Sequence, residues 1–191
     1  VGVDVVLHSA RLVVRTLRRD DAPALLAYYD RNREHLRPWE PTPPPGFYEL
    51  AHWERLIDDA LRDHESAVRY RFVAYAREGE PFQGDVLAII NLHRITRGIE
   101  QRALLGYSAD GRVQGRGIGR EAVGAVVRYA FDTLDLHRIE ANYQPSNERS
   151  GKLLRALGFS VEGYARDYLF LDGAWRDHIM TALTNPAAGR L

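Results

Sequence analysis

Between residues 114 and 119 the chain reads Gln-Gly-Arg-Gly-Ile-Gly, and no regular element takes such a stretch comfortably. Gly115, Gly117 and Gly119 each lose more backbone freedom on ordering than a residue with a side chain. On one side lies a strand-like run, Leu104 to Ala109, and on the other a helix-like run, Arg120 to Leu134. A helix start carries N–H groups without intrahelical partners and the positive end of the peptide dipoles. A strand, a glycine-rich turn and a helix N-terminus together make a place for a phosphate or pyrophosphate. A tight strand-to-helix loop with no ligand uses the same spacing, so the rest of the chain has to choose.

Composition narrows the choice. A chain of 191 residues is expected to form one domain, 1–191, with its core between about 11 and 186. Its 26 basic and 26 acidic side chains cancel, so no overall basic field points to nucleic acid or to a membrane as partner. Lys152 is the only lysine, which reads as a composition bias toward arginine. The absence of cysteine excludes disulfides, thiolate metal sites and a cysteine nucleophile, and no metal is expected. Val1 to Ala10 lacks the pattern of a signal peptide, and no apolar run reaches membrane-spanning length; the expected location is cytoplasmic.

Patterning along the chain predicts alternating strands and helices. Arg11 to Leu17 reads as a first strand, and Asp20-Asp21 with Pro23 opens a helix through Arg33. Pro38 ends it, and Trp39 to Gly46 carries too many prolines for regular structure. A second helix, Glu49 to Ser66, places Trp53, Leu56, Ile57, Ala60 and Leu61 on one core-facing stripe. Strands follow at Tyr70 to Ala76, Asp85 to Leu92, Leu104 to Ala109 and Ile139 to Tyr143. A helix begins at Pro145-Ser146-Asn147 and closes at Gly158. The chain then forms a hairpin, Tyr164 to Leu171 and Ala174 to Leu183, around Asp172-Gly173, and its tail Asn185 to Leu191 frays. The expected fold class is α/β: a mixed, mostly antiparallel sheet with flanking helices.

Three kinds of glycine loop compete. A nucleotide-binding loop of the Walker type needs Gly-Lys-Ser/Thr at the helix start, where this chain has Gly119-Arg120-Glu121. A dinucleotide fingerprint fits Gly117-x-Gly119-x-x-Ala122, with Glu140 at the distance of a ribose contact. Too little chain follows Glu140 for the further parallel strands that such a fold needs. The third pattern, Gln114-x-x-Gly117-x-Gly119, resembles the acetyl-coenzyme-A loop of the Gcn5-related N-acetyltransferase (GNAT) superfamily. Asn147-Glu148-Arg149-Ser150, followed by Leu157-Gly158-Phe159, is similar to that superfamily's Asn-x-x-Ser helix. Asn32 to Pro41, His137 to Tyr143 and Asp172 to His178 resemble the ribosomal-protein-alanine N-acetyltransferase branch, and the likeness runs from about Leu12 to Pro186.

The resemblance implies roles. Acetyl-coenzyme A, as co-substrate, would enter a splay between the Leu104–Ala109 and Ile139–Tyr143 strands. The backbone of Tyr107, Ser108 and Ala109 would pair with its pantetheine arm. Backbone N–H groups of Gln114, Gly115, Arg116, Gly117, Ile118 and Gly119 would hold its pyrophosphate, so a side chain added at Gly119 would meet phosphate. Asn147 would bind the pantetheine arm, although spacing alone explains it as a helix N-cap. Ser150 would donate a hydrogen bond to the departing thiolate, with direct transfer from thioester to amine. Trp39, Glu40, Phe47 and Tyr164 would line the acceptor pocket. Glu40, Glu140, Asp167 and His178 stand as candidate bases, and residue types alone leave that choice open.

The acceptor implied by the resemblance is the N-terminal alanine of a ribosomal protein. An α-amine with a pKa near ~8 also needs less help from a base than a lysine near ~10.4. A small amine such as an antibiotic or metabolite is the alternative acceptor, and a coenzyme-A-binding module without turnover is a third reading. Monomer and homodimer both fit the sequence.

Overall fold

The structure, a computed structural model, describes residues 4–187. Eight strands form a single sheet in the order β1-β2-β3-β4-β5-β6-β8-β7. They are β1 Val6–His8, β2 Leu12–Thr16, β3 Tyr70–Ala76, β4 Val86–Thr96, β5 Arg102–Ala109, β6 Arg138–Tyr143, β7 Ser160–Leu171 and β8 Ala174–Thr184. Five α-helices cover it: α1 Ala22–Arg31, α2 Arg33–Leu36, α3 Leu50–Glu65, α4 Ile118–Asp132 and α5 Glu148–Ala156. Every pairing is antiparallel except β5 with β6. The expected mixed, mostly antiparallel sheet is therefore the observed one.

Strand alternation divides the core into two layers. Phe72, Ala74 and Ile90 face α4, whose small residues Ala122, Val123, Val126 and Ala130 let it lie close to the sheet. Val73 and Ile89 face the other way, onto Leu25 and Tyr28 of α1 and Trp53 and Ile57 of α3. The site forms where the two layers meet at the diverging edge of β5.

Most expected elements are present, with shifted ends. β1 was not signalled by the sequence, because three residues paired at an edge leave little pattern. The first predicted helix is broken: α1 stops at Arg31, α2 is a single turn, and Pro38 sits inside a 3-10 turn, Arg37–Trp39. The hairpin turn at Asp172-Gly173 is as expected, with φ of +47° and +73°. Part of the predicted frayed tail, from residue 188 onward, lies outside the described residues. Among the described residues no helix is long and apolar enough to cross a membrane.

Candidate active site

The parallel pairing of β5 with β6 lasts only from Arg102↔Arg138 to Leu104↔Glu140. Beyond Leu104 the strands part, just past a register shift between His93 and Thr96 in the neighbouring β4. Such bulges increase local twist. The alternation of hydrogen bonds along β5 decides what the gap exposes. Asp110 N donates to Leu87 O at 2.9 Å, so Ser108 and Gly106, two and four residues earlier, also turn their backbone groups to β4. Leu105 and Tyr107 turn theirs to the open side. Ala109 faces the same side, but its carbonyl meets His35 Nε2 at 3.2 Å. The expectation that Tyr107, Ser108 and Ala109 all offer free backbone is therefore corrected: period-two alternation leaves Tyr107 available and commits Ser108.

The chain leaves β5 through a rigid turn. Asp110, fully buried, accepts from Arg31 Nε at 2.6 Å, Arg112 Nη2 at 2.8 Å and Arg112 N at 2.9 Å. Burial alone would raise its pKa; the bonds from Arg112 and Arg31 outweigh that and hold it well below the usual carboxylate range. In the loop that follows, Gln114 N and Arg116 N donate to the carbonyls of Gly111 and Val113. Gly115 and Gly117 take φ of +73° and +76°, which a Cβ would strain. The N–H groups of Gly115, Gly117, Ile118 and Gly119 have no acceptor among the described residues. They lie at and just before the start of α4, a fifteen-residue helix, and suit a phosphate oxygen. Arg11 braces the loop, donating to Arg116 O at 2.9 Å while paired with Glu121 at 2.7 Å. Gly119 has a packing role as well. A Cβ there would meet Leu153 Cδ1 at 3.3 Å and Ala109 Cβ at 3.7 Å, so a glycine also lets α4 pack closely against α5.

Across the gap stands α5. Asn147 is its N-cap: Oδ1 accepts from Ser150 N at 3.1 Å, while Nδ2 has no protein partner among the described residues. The cap and a contact to a ligand are thus compatible. Ser150 Oγ lies 2.7 Å from Tyr107 Oη. Burial, only partly offset by Ser150, pushes the Tyr107 phenol up to about 12, so it keeps its proton.

Between these walls lies a cleft of about 530 Å³, shared by Ser150, Asn147, Tyr107, Glu40, Trp39 and Phe47. Gln144 Nε2 donates to Pro38 O at 2.8 Å and fixes the segment that carries Glu40. Phe47 and Trp53 pack at 4.9 Å, and Tyr29 stacks on Trp53 at 4.5 Å, giving Glu40 an aromatic surrounding. Burial raises the Glu40 carboxyl to about 7, against a smaller opposing pull from Arg71. His178, 3% exposed, also lines the cleft; its Nδ1 donates to Arg176 O at 3.0 Å, which leaves Nε2 as the acceptor in the neutral ring.

A family model described as an acetyltransferase (GNAT) domain matches residues 11–160. The chain belongs to the GNAT acetyltransferase family. This GNAT chain is 40% identical over 180 residues to the [Ribosomal protein uS5]-alanine N-acetyltransferase of Escherichia coli K12, covering 94% of this chain and 91% of that one. Its fold matches the ribosomal-protein-S5-alanine acetyltransferase of Vibrio fischeri with a TM-score of 0.91 at 35% identity, over 98% of this chain and all of that one. It matches RimJ of Mycobacterium smegmatis, solved in complex with CoA-disulfide, with a TM-score of 0.84 at 28% identity, over 95% and 86% of the two chains.

The GNAT cleft sorts the sequence-derived candidates. Trp39, Glu40, Phe47, Asn147, Ser150 and Tyr107 all line it. Tyr164 does not: it pairs with Ile179 in β8, on the face opposite His178, is 58% exposed and donates to Asp177. That placement corrects its assignment to the acceptor pocket; a register shift between Val161 and Gly163 turns this part of β7. Glu140 is tied to Arg138 at 2.8 Å and Arg102 at 3.0 Å, and Asp167 sits exposed in the β7 bulge, so neither faces the cleft. Sequence reasoning missed Tyr29, Arg71, Asn91 and Asn142, which also line it. Trp53 was read as core, and it is, yet its indole lines the cleft as well. Only the cross-strand pairing Arg71↔Asn91↔Gly106 would have drawn attention to the floor, and that pairing joins residues far apart in the chain.

Proposed function

We propose that this cleft transfers the acetyl group of acetyl-coenzyme A directly to the N-terminal amine of a ribosomal protein that begins with alanine. The observation that carries the reading is the pairing of opposite walls in one cleft: a carboxyl raised to about 7 on Glu40, and a hydroxyl pair, Ser150 and Tyr107, beside free β5 backbone. The loop N–H groups of Gly115, Gly117, Ile118 and Gly119 suit the pyrophosphate, and the open edge at Tyr107 with Asn147 Nδ2 suits the amides of the pantetheine arm.

Glu40 takes the proton that the amine must lose. Its pKa is close to that of an α-amine near ~8, so the transfer is nearly balanced at neutral pH. Tyr107, holding its proton, donates to Ser150 Oγ; the Ser150 hydroxyl is then free to donate to the leaving sulfur. A thiol with a pKa near ~8.5 needs little more than that donor. No covalent acyl-serine is required.

The cleft lining supports an aminoacyl acceptor over a polyamine. It contains one carboxylate, Glu40, and one guanidinium, Arg71, where a polycation would call for several acids. The relatives that act on ribosomal proteins support the acceptor's identity. The test is a panel of acceptors incubated with acetyl-coenzyme A and read by mass spectrometry: alanine-initiated peptides from ribosomal proteins, a polyamine and an aminoglycoside. Modification of the peptides above the others is expected. Turnover of the polyamine or aminoglycoside alone would overturn the acceptor, and no turnover of any would leave a coenzyme-A-binding module.

A further inference from the structure

On the floor of the cleft, Arg71, Asn91 and Gly106 stand in register across β3, β4 and β5, on the face beneath α1 and α3. Arg71 Nε donates to Asn91 Oδ1 at 2.8 Å, which fixes the guanidinium. Its terminal nitrogens have no hydrogen-bond acceptor and no ion-pair partner among the described residues. The walls of the cleft, Tyr29, Phe47, Trp53 and Leu56, are largely apolar, and the half-buried Arg71 is the one guanidinium among the lining residues. A guanidinium fixed at Nε, with its terminal N–H groups uncommitted, suits an acceptor oxygen in a fork geometry.

We propose that Arg71 forms a subsite that holds a carbonyl or carboxylate oxygen of the acceptor while its amine lies at Glu40. The inference rests on the cleft being the acceptor site and names the chemistry that selects the acceptor. Arg71 lies two strand spacings from β5, about 10 Å. An extended peptide advances roughly 3.3 Å per residue, so the oxygen belongs to one of the first few residues after the amine. The oxygen comes either from the peptide backbone or from an acidic side chain. Either way Arg71 is a specificity-determining residue, and a bare polyamine leaves it unpaired.

Steady-state kinetics of the full chain test this with alanine-initiated peptides whose second and third residues are alanine, glutamate or lysine, on wild type, Arg71→Gln and Arg71→Lys. Arg71→Gln is expected to raise KM for peptide at least tenfold while kcat, measured on the alkaline plateau above the Glu40 inflection, and KM for acetyl-coenzyme A stay within twofold. Arg71→Lys, which keeps the charge and loses the fork, is expected to fall between, and it decides the matter if the Gln variant does not fold. If backbone carbonyl is the partner, KM rises equally for all peptides. If an acidic side chain is, wild type favours the glutamate peptides tenfold and the variants lose that preference. Unchanged peptide KM in both variants, with wild type acetylating the peptides, overturns the subsite and leaves the N-acetyltransferase reading standing. Wild type acetylating only amines without a carbonyl overturns both.

Discussion

The hydroxyl oxygens of Tyr107 and Ser150 lie 2.7 Å apart, joining the open edge of β5 to the first turn of α5. Burial holds the tyrosine proton in place, so the phenol remains a donor; with that proton directed at Ser150 Oγ, as proposed, the serine proton is free for sulfur. Such a contact matters mainly in the transition state. Ser150→Ala is therefore expected to lower kcat and kcat/KM together, by about a hundredfold, the low end for acid assistance. Tyr107→Phe, which leaves the serine in place, is expected to lose less. Calorimetry should find acetyl-coenzyme A affinity unchanged in both. A loss of affinity with an intact single-turnover rate would make Ser150 a support for the Asn147 cap instead.

Glu40 sets a pH dependence of known sign. Its ionised form accepts the proton, so kcat should rise with pH through an inflection near 7. Glu40→Gln should remove that inflection and slow the reaction about a hundredfold. Removing the cation with Arg71→Gln should move the inflection to higher pH, because Arg71 favours the carboxylate. Stability follows by linkage. The folded protein holds a proton on Glu40 that the unfolded chain has released, so stability falls as pH rises from the ordinary carboxyl range to about 7. Thermal melts across that window should show a flatter slope for Glu40→Gln.

Asp110 carries the opposite sign. Its pKa lies well below the usual range, so its contribution is present above about 4 and lost as the pH falls. Asp110→Ala leaves the partly exposed Arg31 without its carboxylate, while Arg112 keeps Asp85, and should cost about 1–3 kcal/mol in denaturant unfolding. It should also weaken coenzyme binding, since the turn that launches the glycine loop loses its anchor.

Gly151 tests the seat of α5. A Cβ there would come within 2.8 Å of the Tyr143 ring and its hydroxyl, closer than real side chains approach. Gly151→Ala should shift α5 off β6, destabilise the protein by about 1–3 kcal/mol, and lower kcat by moving Ser150 from Tyr107. A variant with wild-type stability and rate would show that α5 has slack.

Much of this site was legible because its parts are local. The glycine loop, the Asn147 cap and the serine one turn later are neighbours in sequence, and their spacing states their geometry. Glu40 was visible as a candidate only. What singles it out is burial by Tyr29, Phe47 and Trp53, supplied by three separate segments. Arg71 and Asn91 were invisible because cross-strand partners are separated by the whole β3–β4 connection. Tyr164 was misplaced for a related reason. A bulge changes which way a strand residue faces, and nothing in the residues around Gly163 announces one. Trp53 shows a further limit: periodicity marks a buried stripe and cannot say that one atom of it faces a cleft.

The central claim is acetyl transfer to an α-amine, and regiochemistry tests it most directly. An alanine-initiated peptide carrying internal lysines is incubated with the protein and acetyl-coenzyme A, beside the same peptide blocked at its N-terminus. Tandem mass spectrometry should find a single acetyl group on the α-amine of the first peptide and none on the second. Acetyl-lysine on the blocked peptide, formed at a comparable rate, would contradict the account.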